Sequence, residues 1–391
     1  MNDKNLEVRL RTLTPLWTGG VEAGKVDRIH ETGILGSLRW WYEAIVRGLG
    51  GQACDPGKAC DPGKACDPSE GKCKFDAEKY RQSSSLDERQ RLHDAGLCDV
   101  CQVFGATGWR RRFRLEVIQD EASLAWTPPP DTLNIRPPER TRGWYLPPGW
   151  VGQITLRLTG DDQTLALLTA LLRFLERHGA IGAKPQLGYG VFRIIEIKGA
   201  SQKPWVWPSL GLDQSHPALP DLRRFGFFNY RFTADWGWWS RIPALERLLG
   251  HSETARALQQ LVQQGMIPVA PLLKNAWRFG HWNGPRSVEL HLFGTSRDPR
   301  VRSKLNVSWA YPAKDGNSWE VRGWVWLPEQ DHQGQPIAPH FLQQVWQNVR
   351  DVSIWQTALG INDGALTCSP DVSTWQAWTT DGVRDFLEEA S

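Results

Sequence analysis

Apolar and charged positions alternate near the start of the chain: Leu6-Glu7-Val8-Arg9-Leu10-Arg11-Thr12-Leu13 has the period of two that a strand buried on one face requires. The segment from Thr14 to Gly24 breaks that pattern. From Gly33 to Leu49 the period lengthens, with Leu38, Tyr42, Ile45 and Leu49 on one stripe and Arg39, Glu43 and Arg47 on another at four-residue spacing, which predicts a helix. Arg110 to Ile118 and Val151 to Leu158 read as strands, separated by a Pro-rich excursion from Thr127 to Gly149. A second helix is predicted over Asp161 to His178, because acids open it, Arg173, Arg177 and His178 close it, and Gly179 stops it. The glycine-rich stretch Gly182-Ala-Lys-Pro-Gln-Leu-Gly-Tyr-Gly190 then leads into a strand, Val191 to Ile197.

The resulting order, strand, helix, strand, strand, helix, strand, is the split βαβ arrangement of a ferredoxin-like sheet. It assigns residues 1–198 to a first domain, interrupted by an insertion over about 50–97 that is rich in Cys, Gly, Lys, Asp and Ser. Residues 199–221, rich in Pro, Gly and Ser, read as a linker. A second unit over 222–391 opens with the strand at Phe225 and continues with an apolar segment around Pro271 to Arg278. Strands follow near Val288 to Phe293, Lys304 to Tyr311 and Glu320 to Leu327, then a helix from about His340 to Ile354. The two units share wording: Phe104-Gly105, a short turn and Arg110 to Val117 parallel Phe293-Gly294, a short turn and Arg300 to Val307. The expectation is an α+β chain of two ferredoxin-like, RRM-related domains produced by duplication, the second divergent.

Length agrees, since 391 residues exceed what one core usually supports. With 40% apolar and 23% charged residues, no apolar run of the roughly 18 residues a membrane span needs and no secretion-type start, the chain is expected in the cytoplasm. A net charge of +3 is too small to announce nucleic-acid binding, so any such role must lie in local clusters. Tryptophan is over-represented, 22 against 6 Tyr and 13 Phe, and most indoles should serve as core or interface filling.

Four places could carry chemistry. In the loop Gly182 to Gly190, Gly182, Gly188 and Gly190 free the backbone for close approach, Lys184 brings charge and Tyr189 offers a ring for stacking; a tight turn needing positive φ accounts for the same residues. Arg110, Arg111, Arg112 and Arg114 fall within seven residues without an acid, as phosphate neutralisation or a charged edge strand would require. Arg28 and His30 stand just before the first helix, where free amides attract anions, and Arg39 and Trp40 follow on it; His30 with Asp27 is the pair that acid–base catalysis could use. Cys98-Asp-Val-Cys101 has zinc-ligand spacing, with partners available among Cys54, Cys60, Cys66, Cys73 and His93, and the set chosen is Cys98 and Cys101 with Cys66 and Cys73. Cys54, Cys60 and Cys66 belong to a tandem repeat, Ala-Cys-Asp-Pro-Gly-Lys, whose turn chemistry looks like an expanded loop. Nucleotide hydrolysis is disfavoured: Gly19 to Lys25 nearly spells a phosphate-binding loop, but Val26 stands where a hydroxyl must hold magnesium.

Taken together, Thr14-Pro-Leu-Trp-Thr-Gly-Gly, Gly33-Ile-Leu-Gly-Ser-Leu-Arg-Trp-Trp, Cys98-x-x-Cys-x-Val-Phe-Gly, Tyr145-Leu-Pro-Pro-Gly and Ile181-Gly-Ala-Lys-Pro-Gln-Leu-Gly-Tyr-Gly resemble the RAMP superfamily of CRISPR proteins. Within it they resemble the family of the first subunit of the type III-B Cmr effector complex. The motifs run in order from residue 14 to 192, and the second half matches mainly in layout. The resemblance implies a non-catalytic RNA-binding subunit of a ribonucleoprotein used in antiviral defence, holding guide and target RNA near the guide 3′ end beside other RAMP subunits. By position, Arg28, His30, Arg39, Trp40, Arg110, Arg111, Arg112, Arg114, Gly182, Lys184, Gly188, Tyr189 and Gly190 become its RNA contacts. No cofactor is required beyond a structural zinc. Two alternatives remain: an endoribonuclease using His30, as some relatives cut RNA near the first helix, and a protein-only scaffold whose arginines meet acidic partners.

Overall fold

The computed structural model describes residues 4–22, 24–55, 73–119, 121–199, 205–208, 210, 218–361, 369–372 and 379–390. Strand β1, Lys4–Thr12, buries Leu6, Val8 and Leu10 on one face and turns Glu7, Arg9 and Arg11 to the other, as its alternation requires. Helix α1 is Glu31–Gly48, and a short helix α2, Asp99–Phe104, precedes strand β2, Phe113–Ile118. Strand β3, Gln153–Gly160, is followed by helix α3, Asp162–His178, whose N-cap Asp161 accepts from the Thr164 amide at 2.8 Å, and by strand β4, Phe192–Lys198. The sheet order is β2-β3-β1-β4 with every neighbour antiparallel, so β3 fills the gap that the β1-α1-β2 crossover leaves.

The second half repeats this path. Strand β5 is Phe225–Phe232; helix α4, Arg286–Phe293, leads to strands β6, Leu305–Val307, and β7, Trp319–Trp326. Helices α5, Pro339–Arg350, and α6, Val352–Leu359, precede strand β8, Ser369–Val372, and helix α7, Thr380–Ala390. The order β6-β7-β5-β8, again antiparallel throughout, is the same as in the first sheet. The shared wording has a shared geometry. Gly105 ends α2 at φ 87°, ψ 159° and Gly294 ends α4 at φ 84°, ψ 160°, a region that favours glycine. Each is followed by a small bridge, Ala106 to Trp109 or Thr295 to Val301, and by an amide returning to the helix, Arg112 N to Val103 O at 2.9 Å or Lys304 N to Leu292 O at 2.7 Å.

The two halves are not separated by solvent. Along β7 every residue is buried, because one face packs on its own half and the other on the helices of the first. Trp41 of α1 lies 5.0–6.2 Å, ring to ring, from Phe174 of α3, Phe225 and Phe227 of β5 and Trp324 of β7. Arg322 of β7 donates to the carbonyls of Glu176 and Phe192, satisfying an acceptor in the last turn of α3 that would otherwise be orphaned in the interior. The layers therefore run sheet, helices, sheet, helices.

Several expectations need correction. Val288 to Phe293 is helical: within the eight residues of α4, Val288, Leu290 and Leu292 fit a period of two, but Glu289 pairs with Arg278 at 2.7 Å and with Arg286 one turn earlier, pinning a helix. Arg110, Arg111 and Arg112 precede β2, so the strand expected from Arg110 begins only at Phe113 and carries Arg114 alone of the four arginines. The predicted strand Lys304 to Tyr311 is interrupted, its pieces being β6 and Tyr311–Pro312. The helix expected over His340 to Ile354 breaks at Asp351, which caps α6 through the Ser353 amide. Among the described residues no helix is long and apolar enough to cross a membrane.

Candidate functional site

The segment after β1 and the loop after α3 are stitched together beside the start of α1. Trp17 and Ala183 form an isolated bridge, the Gly182 amide donates to Ser37 Oγ of α1 at 3.0 Å, and Thr18 Oγ1 accepts from the His30 amide at 2.9 Å. Gly182 has φ +80° and lies so close to the Trp17 carbonyl that a Cβ would sit 2.6 Å from it, so the turn demands glycine. Lys184 takes the left-handed conformation at φ 62°, the one non-glycine residue to do so among those described. Its Nζ lies 4.5 Å from the Trp17 ring centroid, burial lowers its pKa, and no carboxylate among the described residues pairs with it. Arg28 is closer to neutralised, with Glu31 at 3.1 Å. His30 Nε2 meets Asp27 Oδ1 at 2.8 Å, a bond that holds the Asp27 carboxyl below its usual range.

The rest of the loop turns inward. Lys274 of a short helix, Ala270–Asn275, donates to the Gln186 carbonyl at 3.0 Å, and Trp309 Nε1 donates to the Leu187 carbonyl at 2.7 Å. Gly188, at φ +90°, rests on the Trp309 ring. Tyr189 is 0% exposed, with its hydroxyl on the Pro147 carbonyl at 2.5 Å and its ring 5.3 Å from Trp309, so this ring is not free to stack on a base. Gly190 closes the turn on the Pro15 carbonyl at 2.9 Å. Gly188 lets this loop dock on the second half, while Gly190 packs on the Ile181 carbonyl of the first, and the burial of Gly188, Tyr189 and Gly190 corrects their reading as ligand contacts.

Arg39 is corrected likewise. It pairs with Glu43 at 2.9 Å, donates to the Gly105 carbonyl at 3.3 Å, and points Nη2 at Cys101 Sγ, 3.3 Å, and Cys54 Sγ, 3.7 Å. Trp40, half-buried, packs on Trp41 and Phe225 between the halves. Around Arg39 the sulfurs of Cys54, Cys73, Cys98 and Cys101 all lie within 4.8 Å of one another, a set that could hold a metal ion. Contact with Cys101 first, and with Cys98, draws Cys73 down to about 7 against an opposing push from Cys54, while Cys101 is pushed up, first by Cys54. Cys54 stands in this set where Cys66 was expected; Cys60 and Cys66 lie outside the described residues. His93 is committed to Asp99 at 2.9 Å instead.

The basic run divides. Arg111 Nε donates to the Phe113 carbonyl at 2.7 Å and Arg112 Nε to the Gln102 carbonyl at 3.1 Å, whereas Arg110 and Arg114 are exposed. Register places this run beside Lys4, since Phe113 faces Gly160 and Gly160 faces Lys4, while Lys184 and Arg28 gather at the other end of β1. Nine residues of strand, roughly 30 Å at about 3.3 Å each, separate the two groups. The predicted contacts therefore fall into two groups at opposite ends of β1.

A cluster of cations escaped the sequence reading. Arg193, register partner of Arg11, and Lys314 line a cavity of about 600 Å³ between the halves, with Arg231, Arg322 and His178. Burial and the charge of Arg322 push His178 down to about 3. Alternation along β1 could have marked Arg11 as solvent-facing, but nothing local pairs it with Arg193 or brings Lys314 from the second half.

Residues 9–193 match the model of the RAMP superfamily. This segment belongs to the RAMP superfamily. No curated protein matches the chain. Among solved structures, the RAMP-bearing chain is similar to the crystal structure of Cmr1 from Pyrococcus furiosus in its apo form, at 12% identity and a TM-score of 0.41, covering 96% of this chain and 99% of that one. It is also similar to a chain of the type III-B Cmr-beta complex bound to cognate target RNA and AMPPnP, at 13% identity and a TM-score of 0.40, covering 90% and 100%. Cmr6 from Pyrococcus furiosus matches 50% of this chain with a TM-score of 0.25.

Proposed function

We propose that the chain is a non-catalytic RNA-binding subunit of a type III-B CRISPR ribonucleoprotein, built from two ferredoxin-like halves. In this reading it works in the cytoplasm and holds guide and target RNA near the guide 3′ end beside other RAMP subunits. The observation that carries the reading is Lys184. A left-handed backbone costs a non-glycine residue about 1–3 kcal/mol, and a half-buried cation without a counter-charge adds to that cost. Both are offset where an anion such as a backbone phosphate completes the site, and Arg28 stands beside the same turn. The family match over 9–193 supports the same role. No cofactor enters it, and a metal on the four cysteines is structural.

The test is RNA binding by the assembled complex across a salt series. Lys184→Ala is expected to weaken binding on all guide sequences alike and to flatten the log–log salt slope by about one unit, with assembly unchanged. An unchanged slope would remove Lys184 from the interface, and assembly lost with RNA affinity intact would favour the scaffold alternative.

A second reading is favoured by the hydrogen-bonded Asp27 and His30, since a carboxylate can fix an imidazole as a general base. Labelled repeat and target RNA, incubated with and without divalent metal, decides between them. Cleavage abolished by His30→Ala would replace the binding role with catalysis.

A further inference from the structure

We propose that Cys54, Cys73, Cys98 and Cys101 bind one zinc ion as a closed tetrathiolate site, and that Arg39 is the positioning residue tying this site to helix α1. The proposal rests on the side-chain cluster and is independent of the RNA-binding reading.

Distance is the first argument. Zinc–sulfur bonds of about 2.3 Å at tetrahedral angles put sulfurs about 3.8 Å apart. The four sulfurs already lie within 4.8 Å of one another, with Cys54 and Cys101 at 3.5 Å, so sub-ångström side-chain adjustments complete the tetrahedron. Hydrogen bonding is the second. Each sulfur accepts one N–H: Cys73 from the Cys98 amide at 3.3 Å, Cys98 from the Cys54 amide at 3.4 Å, and Cys101 and Cys54 from Arg39 at 3.3 and 3.7 Å. A neutral thiol is a weak acceptor, whereas a metal-bound thiolate is held by outer contacts of this kind. Charge is the third. Four thiolates on Zn²⁺ leave a net charge of about −2, and the Arg39 guanidinium lies against two of the sulfurs to offset part of it.

The four ligands saturate zinc, leaving no position for water or substrate, so the ion is structural. On binding, each thiol still protonated releases its proton to solvent, and the zinc keeps its oxidation state. The ion joins Cys54, in the first copy of the tandem repeat, and Cys73, after its last, to helix α2. Through Arg39, which also holds the Gly105 carbonyl, it braces the turn that leads to β2.

Full-length protein purified without added metal should carry one zinc per chain by elemental analysis, and Cys60→Ser and Cys66→Ser should leave that ratio unchanged. Cys98→Ser and Cys101→Ser should bring it near zero, and Arg39→Ala should keep the ion but weaken its affinity roughly ten- to hundredfold in a chelator competition. If the serine variants do not fold, cobalt exchanged into the wild-type chain supplies the second measurement, with thiolate-to-metal charge transfer and intense tetrahedral visible bands expected. Wild-type protein with all seven thiols free and no bound metal, zinc lost in Cys66→Ser, or weak octahedral cobalt bands would each overturn the assignment. RNA affinity is a separate readout, so a zinc-free chain that still binds RNA counts against this proposal alone.

Discussion

Arg39, Tyr189 and Lys184 came out of one reading of residue types and have three fates. A guanidinium, a phenol ring and an amine are each competent to meet RNA, and which one does depends on what else claims it. Arg39 is claimed by Glu43 and two sulfurs and Tyr189 by a carbonyl and an indole, whereas Lys184 lies over the Trp17 ring with no carboxylate partner among the described residues. His178 shows the same competition as a titration. Its ring lies 5.4, 5.2 and 4.7 Å from Phe174, Phe227 and Phe386, and its pKa falls to about 3 against an ordinary value near 6.5. Above pH 6.5 the imidazole is neutral in both folded and unfolded chains and costs nothing. Between 6.5 and 3 the unfolded chain binds a proton that the folded one refuses, so stability falls on acidification, by at most about 1.4 kcal/mol per pH unit. His178→Phe removes this linkage while preserving the aromatic packing. Its thermal midpoint is expected to drop less than that of the wild type between pH 6.5 and 4, and parallel curves would clear His178 of the effect.

At the level of elements, those with a complete local grammar were legible. Helix α3 was read to within one residue because its cap, its stripe and its stop all lie inside its own sequence, and β1 because alternation is its only requirement. Helix α4 was not, since eight residues satisfy either period and the deciding ion pair reaches back to Arg278. The glycine-rich loop was read either as a ligand contact or as a tight turn needing positive φ; the turn is there, but its contact surface is a tryptophan over a hundred residues later in the chain. Gly188→Ala places a side chain at φ +90° and against the Trp309 ring. Destabilisation of about 1–3 kcal/mol from backbone strain alone is expected, measured by denaturant midpoint, with zinc content unchanged. A variant as stable as the wild type would mean the loop does not dock as described.

For the whole molecule, the duplication predicted from shared wording matches two sheets of identical strand order with matched glycine caps. Two independent domains would have been the simplest consequence, but the layers interleave. Expressed alone, residues 1–198 would expose Trp41 and Phe174, which the complete chain covers with Phe225, Phe227 and Trp324. Such a fragment is expected to bind hydrophobic dyes and aggregate, and co-expression with residues 222–391 should restore solubility. A soluble, monomeric fragment with a sharp melting transition would show that the first half folds independently.

The sequence by itself determined what is periodic or local: the strands and helices with complete signals, the repeated Phe-Gly turn, the glycines that positive φ requires and the family of the first half. Tertiary structure decided what depends on partners distant in the chain. It brought Cys54 into the sulfur cluster, gave the inner end of the glycine loop to Trp309, separated Lys184 from the arginines before β2, and put Arg193 and Lys314 on the wall of one cavity. The physical reason is that backbone preferences act over a few residues, whereas burial, charge pairing and metal geometry act through space between groups whose meeting no short window of sequence records.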